Sequence, residues 1–146
     1  SQNVANTITW NLTIDKTKQY LIKNFEKTKN QGLHIHCPEG SISKDGPSAG
    51  AAITTAIYSL FNNKQIRNDI AITGEINLQG EITAIGGLEI KISGGIKAGI
   101  KTFLYPEENE RDFEEWKSKN EGKPIGENIT FVKVSKINDV FKHVFV

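Results

Sequence analysis

The chain has 146 residues, 37% of them apolar and 24% charged, with a formal net charge of +1. This is the composition of one soluble globular domain with a real core, and its charge balance gives no electrostatic reason to expect nucleic acid or an acidic membrane surface. A single cysteine, Cys37, excludes a disulfide within the chain and fits a reducing, cytoplasmic setting; no apolar run reaches the roughly 20 residues a bilayer requires, and no signal peptide opens the chain. With no methionine, the chain is expected to be a fragment, a processed product or a mature protein.

In chain order, TITW (7–10) reads as the end of a strand, and IDKTKQYLIKNFEKTK (14–29) as an amphipathic helix stopped by Gly32. LHIHC (33–37) is a short strand on which His34 and His36 share one face. A loop holding Gly40, Lys44, Asp45, Gly46 and Pro47 leads to Ser48. From Pro47 the period turns helical, with Ala49, Ala52, Ile53, Ala56, Ile57, Leu60 and Phe61 as its apolar stripe. Residues 66–85 read as two strands that bend near Gly80, and 86–99 as a helix weakened by Gly94 and Gly95. A strand at 101–106, an acidic surface helix at 108–120, a strand at 129–135 and a helix at 137–145 complete the chain. Alternating strands and helices give an α/β (α+β) class, organised as one domain over 1–146.

Two residues stand out chemically. Ser48 sits where a helix begins, and there backbone N–H groups lack internal partners and the dipole favours developing negative charge. The same position suits a plain helix cap. A serine hydroxyl becomes nucleophilic only beside a base. His34 and His36 lack a third metal ligand nearby, and His143 has no polar company. Among the lysines, Lys91 lies at the edge of the stripe formed by Leu88, Ile92, Gly95 and Ile96, whereas Lys97 falls on the far side. Lys91 is therefore the lysine whose amine a partly dry cleft can hold uncharged, the other reading being a side chain that snorkels to water.

Three segments carry a family resemblance. PEGSISKDGPSAG (38–50) resembles the serine loop of the Lon family of ATP-dependent proteases. TGEINLQGEITAIGGLEIK (73–91) resembles that family's next block, ending at its lysine, and AGIKTFLYPEENERDFEE (98–115) the segment after it. The match is nearly collinear from His34 to Glu115 and continues, more weakly, to Val146.

The resemblance implies a Lon-type proteolytic fold of mixed sheets with packed helices, shared with ribosomal protein domains. It also implies a serine endopeptidase in which Ser48 is the nucleophile and Lys91 the general base. Thr73 matches the threonine that helps hold the lysine, and Asp45 and Gly46 match the loop lining the oxyanion region. Polypeptide substrates and self-association, in rings of six among full-length relatives, are the implied partners. No cofactor or metal is implied for this chain. ATP is expected only for an ATPase module that is separate or has been removed, since no G-x-x-x-x-G-K-[ST] phosphate loop is present in this stretch. The alternative is a Lon-like domain kept as a non-catalytic scaffold or nucleic-acid-associated module, which has no use for Ser48 and Lys91 together.

Overall fold

A computed structural model describes residues 48–146. The expected strands at 7–10 and 33–37, the helix at 14–29, and the candidate residues His34, His36, Asp45 and Gly46 lie outside the described residues.

Helix α1 (Gly50–Asn62) opens the described part and ends where Asn63 takes a left-handed conformation and returns its N–H to the Ser59 carbonyl. Its buried face matches the expected stripe only in part: Ile57 is buried and Ile53 and Phe61 pack against the core. Gly50, Ala51, Thr54, Thr55 and Ile57 face inward, while Ala56 is exposed and Leu60 is 71% exposed. Apolar period misplaced part of this face because it counts threonine as polar. Thr55 is buried without cost to its hydroxyl, which donates to the Ala51 carbonyl at 2.8 Å.

Residues 66–85 form three short strands where the sequence suggested two: β1 (Ile70–Ile72), β2 (Glu75–Ile76) and β3 (Ile82–Thr83). The break falls at Gly74, whose φ of +156° turns the chain out of one sheet and into another. A Cβ there would lie 2.5 Å from Ile82 Cγ2, so only glycine fits. β2 and β3 pair antiparallel, with Glu75 opposite Thr83. Between them Asn77 Oδ1 accepts from the N–H groups of Gln79 and Glu81, and Gly80 takes the positive φ at the bend, as expected.

Helix α2 (Leu88–Lys97) follows a left-handed Gly87. β4 (Thr102–Pro106) leads through a 3-10 turn (Glu107–Asn109) into α3 (Glu110–Lys119), then β5 (Thr130–Val134) and α4 (Ile137–Val144). Helix α3 is the acidic surface helix that was expected. Only Phe113 and Trp116 are buried, and its acidic first turn and basic last turn suit the helix dipole.

β1, β4 and β5 form a parallel sheet in the order β1-β4-β5, with Ala71 beside Phe103 and Phe103 beside Phe131. Strand β4 is buried throughout because it is central and covered on both faces. Its alternating side chains divide the core. Leu104 joins Ala51, Ile57, Ile76, Ile82, Val134, Ile137, Val140 and Val144 beneath α1 and α4. Phe103 and Tyr105 join Leu88, Ile92, Phe113 and Trp116 beneath α2 and α3. The result is an α/β layering with helices on both faces of a parallel sheet. Each fully buried Leu, Ile or Val contributes about 1.5–3 kcal/mol through removal from water.

Candidate active site

Ser48 and Lys91 are 43 positions apart; Ser48 lies in the turn that leads into α1 and Lys91 on α2, helices that cover opposite faces of the sheet. They meet beyond the carboxyl end of β1, the place where parallel α/β sheets offer crevices. Two reciprocal backbone bonds hold the serine there. Gly74 N–H donates to the Ser48 carbonyl at 3.0 Å, and Ala51 N–H donates to the Gly74 carbonyl at 2.9 Å. The glycine that breaks the sheet thus also anchors the serine turn.

Ser48 does not cap α1. The residue at the cap position is Ala49, and no side chain caps the helix. The Ser48 hydroxyl is instead hydrogen-bonded to the Lys91 amine. Thr73 Oγ1 stands 3.5 Å from the same Nζ, and Thr73 is only 6% exposed. The three side chains that the sequence singled out and the structure describes therefore converge. Lys97 is exposed on the far side of α2, as expected. His143 is exposed, with Nδ1 donating to the Asp139 carbonyl at 2.9 Å, and takes no part.

Burial pushes the Lys91 amine below the usual lysine range. The cause lies in its surroundings. Leu88, Ile92 and Gly95 pack α2 onto the core, and among the described residues the proton affinity of the half-buried amine is lowered by desolvation alone. An amine held this way is more readily uncharged, and an uncharged amine can accept the proton of the alcohol it touches. Ala51 N–H is committed to Gly74, so it is not free to hold an oxyanion.

A cavity of about 310 Å³ adjoins the pair, walled by Ala49, Ala52, Ala71, Gly95 and Phe103. Sequence reading missed this wall. Its signal was present as small residues at 49 and 52, one helical turn apart, and at 71 and 95, but a cavity depends on which faces meet. A larger hollow of about 460 Å³ lies between residues 85–90 and α3, away from Ser48. Size does not select the site here; the serine and the lysine do. Among the described residues, no group of three or more His, Cys, Asp or Glu side chains converges to hold a metal ion, and no helix is long and apolar enough to cross a membrane.

Comparison with known proteins places this geometry in a family. The model of the Lon protease C-terminal proteolytic domain matches residues 4–146. The Lon protease of Fusobacterium nucleatum is 49% identical over 98 residues, which cover 67% of this chain and 13% of that protein. The Lon protease of Brucella suis is 43% identical over 114 residues, covering 78% of this chain and 13% of that protein. The mitochondrial Lon protease homolog of Yarrowia lipolytica is 39% identical over 138 residues, covering 92% of this chain and 11% of that protein. The chain thus spans 11–13% of the length of these three relatives. With nearly its whole length matched, and with Ser48, Thr73 and Lys91 brought together at one sheet end, the chain belongs to the Lon protease family as its C-terminal proteolytic domain.

Proposed function

We propose that this chain is a single serine endopeptidase domain that cuts polypeptides with a Ser48–Lys91 dyad. The observation that carries the reading is the direct hydrogen bond between the Ser48 hydroxyl and a Lys91 amine whose proton affinity is lowered by burial.

In the first step uncharged Lys91 takes the Ser48 proton as Oγ bonds to the peptide carbonyl carbon. Backbone N–H groups at the start of α1, that of Ser48 among them, hold the oxyanion. Each such donor contributes roughly 2.7–4 kcal/mol to lowering the barrier. The tetrahedral intermediate collapses, the C–N bond breaks, and Lys91 returns the proton to the leaving amine. Water then gives a proton to Lys91 and attacks the ester, and collapse frees Ser48 and the new carboxyl end. Thr73 orients the lysine, and Asp45 and Gly46 are assigned to the oxyanion loop by the family resemblance alone.

The substrates proposed are unfolded or damaged polypeptides, whose extended backbone can reach a notch at a sheet end. Unfolding and delivery fall to an ATPase module distinct from this chain, which uses no cofactor of its own. Self-association, in a ring of six, and a cytoplasmic location belong to the same proposal. The names of the relatives support the protease reading, and one of them is mitochondrial.

The test is covalent labelling by a fluorophosphonate peptide probe. Wild type labels at Ser48, Ser48→Ala does not, and Lys91→Ala labels about 100- to 10,000-fold more slowly. Labelling that survives the loss of Ser48 removes it as nucleophile.

A further inference from the structure

Lys91 sits one turn into α2, so whatever fixes the start of that helix fixes the amine. The start is poorly determined by its own backbone. β3 ends at Thr83 and α2 begins at Leu88. Between them are Gly86 and Gly87, where an added Cβ would touch nothing within 4 Å, and Gly87 is left-handed at φ +69°. Such a segment is conformationally permissive. Yet the Lys91 N–H donates to the Gly87 carbonyl at 3.2 Å, so the first turn inherits whatever position Gly87 takes.

Asn109 supplies the missing constraint. It is 2% exposed and stands at the cap position of α3, but its side chain does not cap that helix. The amide turns back on the loop. Oδ1 accepts from Ile85 N–H at 2.9 Å and Nδ2 donates to the Ile85 carbonyl at 2.9 Å. Nδ2 also donates to Asp112 Oδ2 at 2.8 Å, which fixes the amide's own orientation. Next to it, Glu108 Oε2 accepts from Ala84 N–H at 2.9 Å. Residues 108 and 109 thus grip three backbone groups of the segment that launches α2.

We propose that Asn109, assisted by Glu108, is a positioning residue for Lys91: it sets the position of α2 along its axis and so the placement of the amine against Ser48. This rests on the dyad reading above. Core packing by Leu88 and Ile92 holds α2 against the sheet, but apolar contact is non-directional and leaves sliding and rotation weakly opposed. The paired amide bonds are directional. Displacement of the order of 1 Å at a reacting group can cost about 100-fold in rate. Loosening also lets water reach the amine, raising its proton affinity toward that of a free lysine.

The experiment uses the intact protein and follows fluorophosphonate labelling of Ser48 against pH, with thermal melting as a fold control. Asn109→Ala is expected to label about 10- to 100-fold more slowly at pH 7.5, with its lysine-dependent limb displaced upward by roughly one pH unit. Glu108→Ala, at an exposed position, shifts both in the same direction by less and keeps the test alive where Asn109→Ala does not fold. Val140→Ala, in the opposite core, lowers the melting temperature and leaves the limb in place. A folded Asn109→Ala (or, where that does not fold, Glu108→Ala) with the wild-type limb and rate overturns the proposal. So does a Val140→Ala limb that moves as far. A second arm reads the lysine without catalysis, by the pH dependence of Lys91 acetylation in a Ser48→Ala background. Removing the Asn109 amide moves that profile upward too, and no movement overturns the inference. Absence of Ser48 labelling in wild type refutes the dyad reading instead, and the acetylation arm still decides the clamp.

Discussion

The serine that looks like a helix cap is not one. Ser48 lies one residue before the cap position and spends its hydroxyl on Lys91, so the local pattern located the residue but named the wrong bland role for it. Lys91 was legible because its place at the edge of an apolar stripe predicts partial burial, and partial burial is what lowers its proton affinity. Asn109 was not legible: the sequence placed it within the first turn of the expected helix at 108–120, and only the fold shows its amide aimed backward. The lowered affinity of Lys91 has a thermodynamic sign. The folded protein holds this proton less tightly than the unfolded chain, so unfolding takes one up between the folded value and 10.5, and stability rises with pH across that window. Below that window the amine is a half-buried cation, which is a liability to the fold. Lys91→Met is therefore expected to melt at or above the wild-type temperature while labelling falls to background, as scanning calorimetry at pH 7 would measure. A clear drop in melting temperature would mean that the amine holds the fold together and is not kept for chemistry at the expense of stability.

At the level of elements, helices α2, α3 and α4 and strands β4 and β5 were readable to within two residues, while α1 begins at Gly50, three residues after the point where the period turned helical. Two features escaped. The face of α1 was assigned only in part, because threonines share its buried side with Ile53, Ile57 and Phe61. The division of 66–85 into three strands was missed because Gly74 looks like an ordinary strand glycine until its φ is known. That glycine couples two jobs. It lets the chain leave the parallel sheet, and its N–H and carbonyl fasten the turn that presents Ser48. Gly74→Ala drives a Cβ into Ile82 and forces a strained φ, so it is expected to cost roughly 1–3 kcal/mol in urea unfolding. Labelling of Ser48 should fall more than the remaining folded fraction explains. Loss of stability with full labelling per folded molecule would separate the glycine from the serine turn.

For the described part of the molecule, the arrangement is a central strand with a core on either side and a notch holding Ser48 and Lys91 past a sheet end. The α/β class followed from alternation of elements, whereas the site required knowing which faces pack together, and that is set by long-range contacts. Leu104 illustrates the dependence. It is wholly buried in β4 beneath α1 and α4, and Leu104→Ala is expected to cost about 2–5 kcal/mol in chemical denaturation while the surviving native protein keeps its labelling rate. A stability loss well under 1 kcal/mol would show that this core is not what holds the α1 side to the sheet. The account as a whole depends on an uncharged lysine in a partly dry notch. Its most direct measurement is the labelling rate of Ser48 from pH 5 to 11, in wild type and in Lys91→Met. The prediction is a rate that climbs as one group loses a proton, with a midpoint below the free-lysine value of 10.5 in wild type and no such limb in Lys91→Met. A limb that persists unchanged without Lys91 would assign the base to another residue and contradict the account.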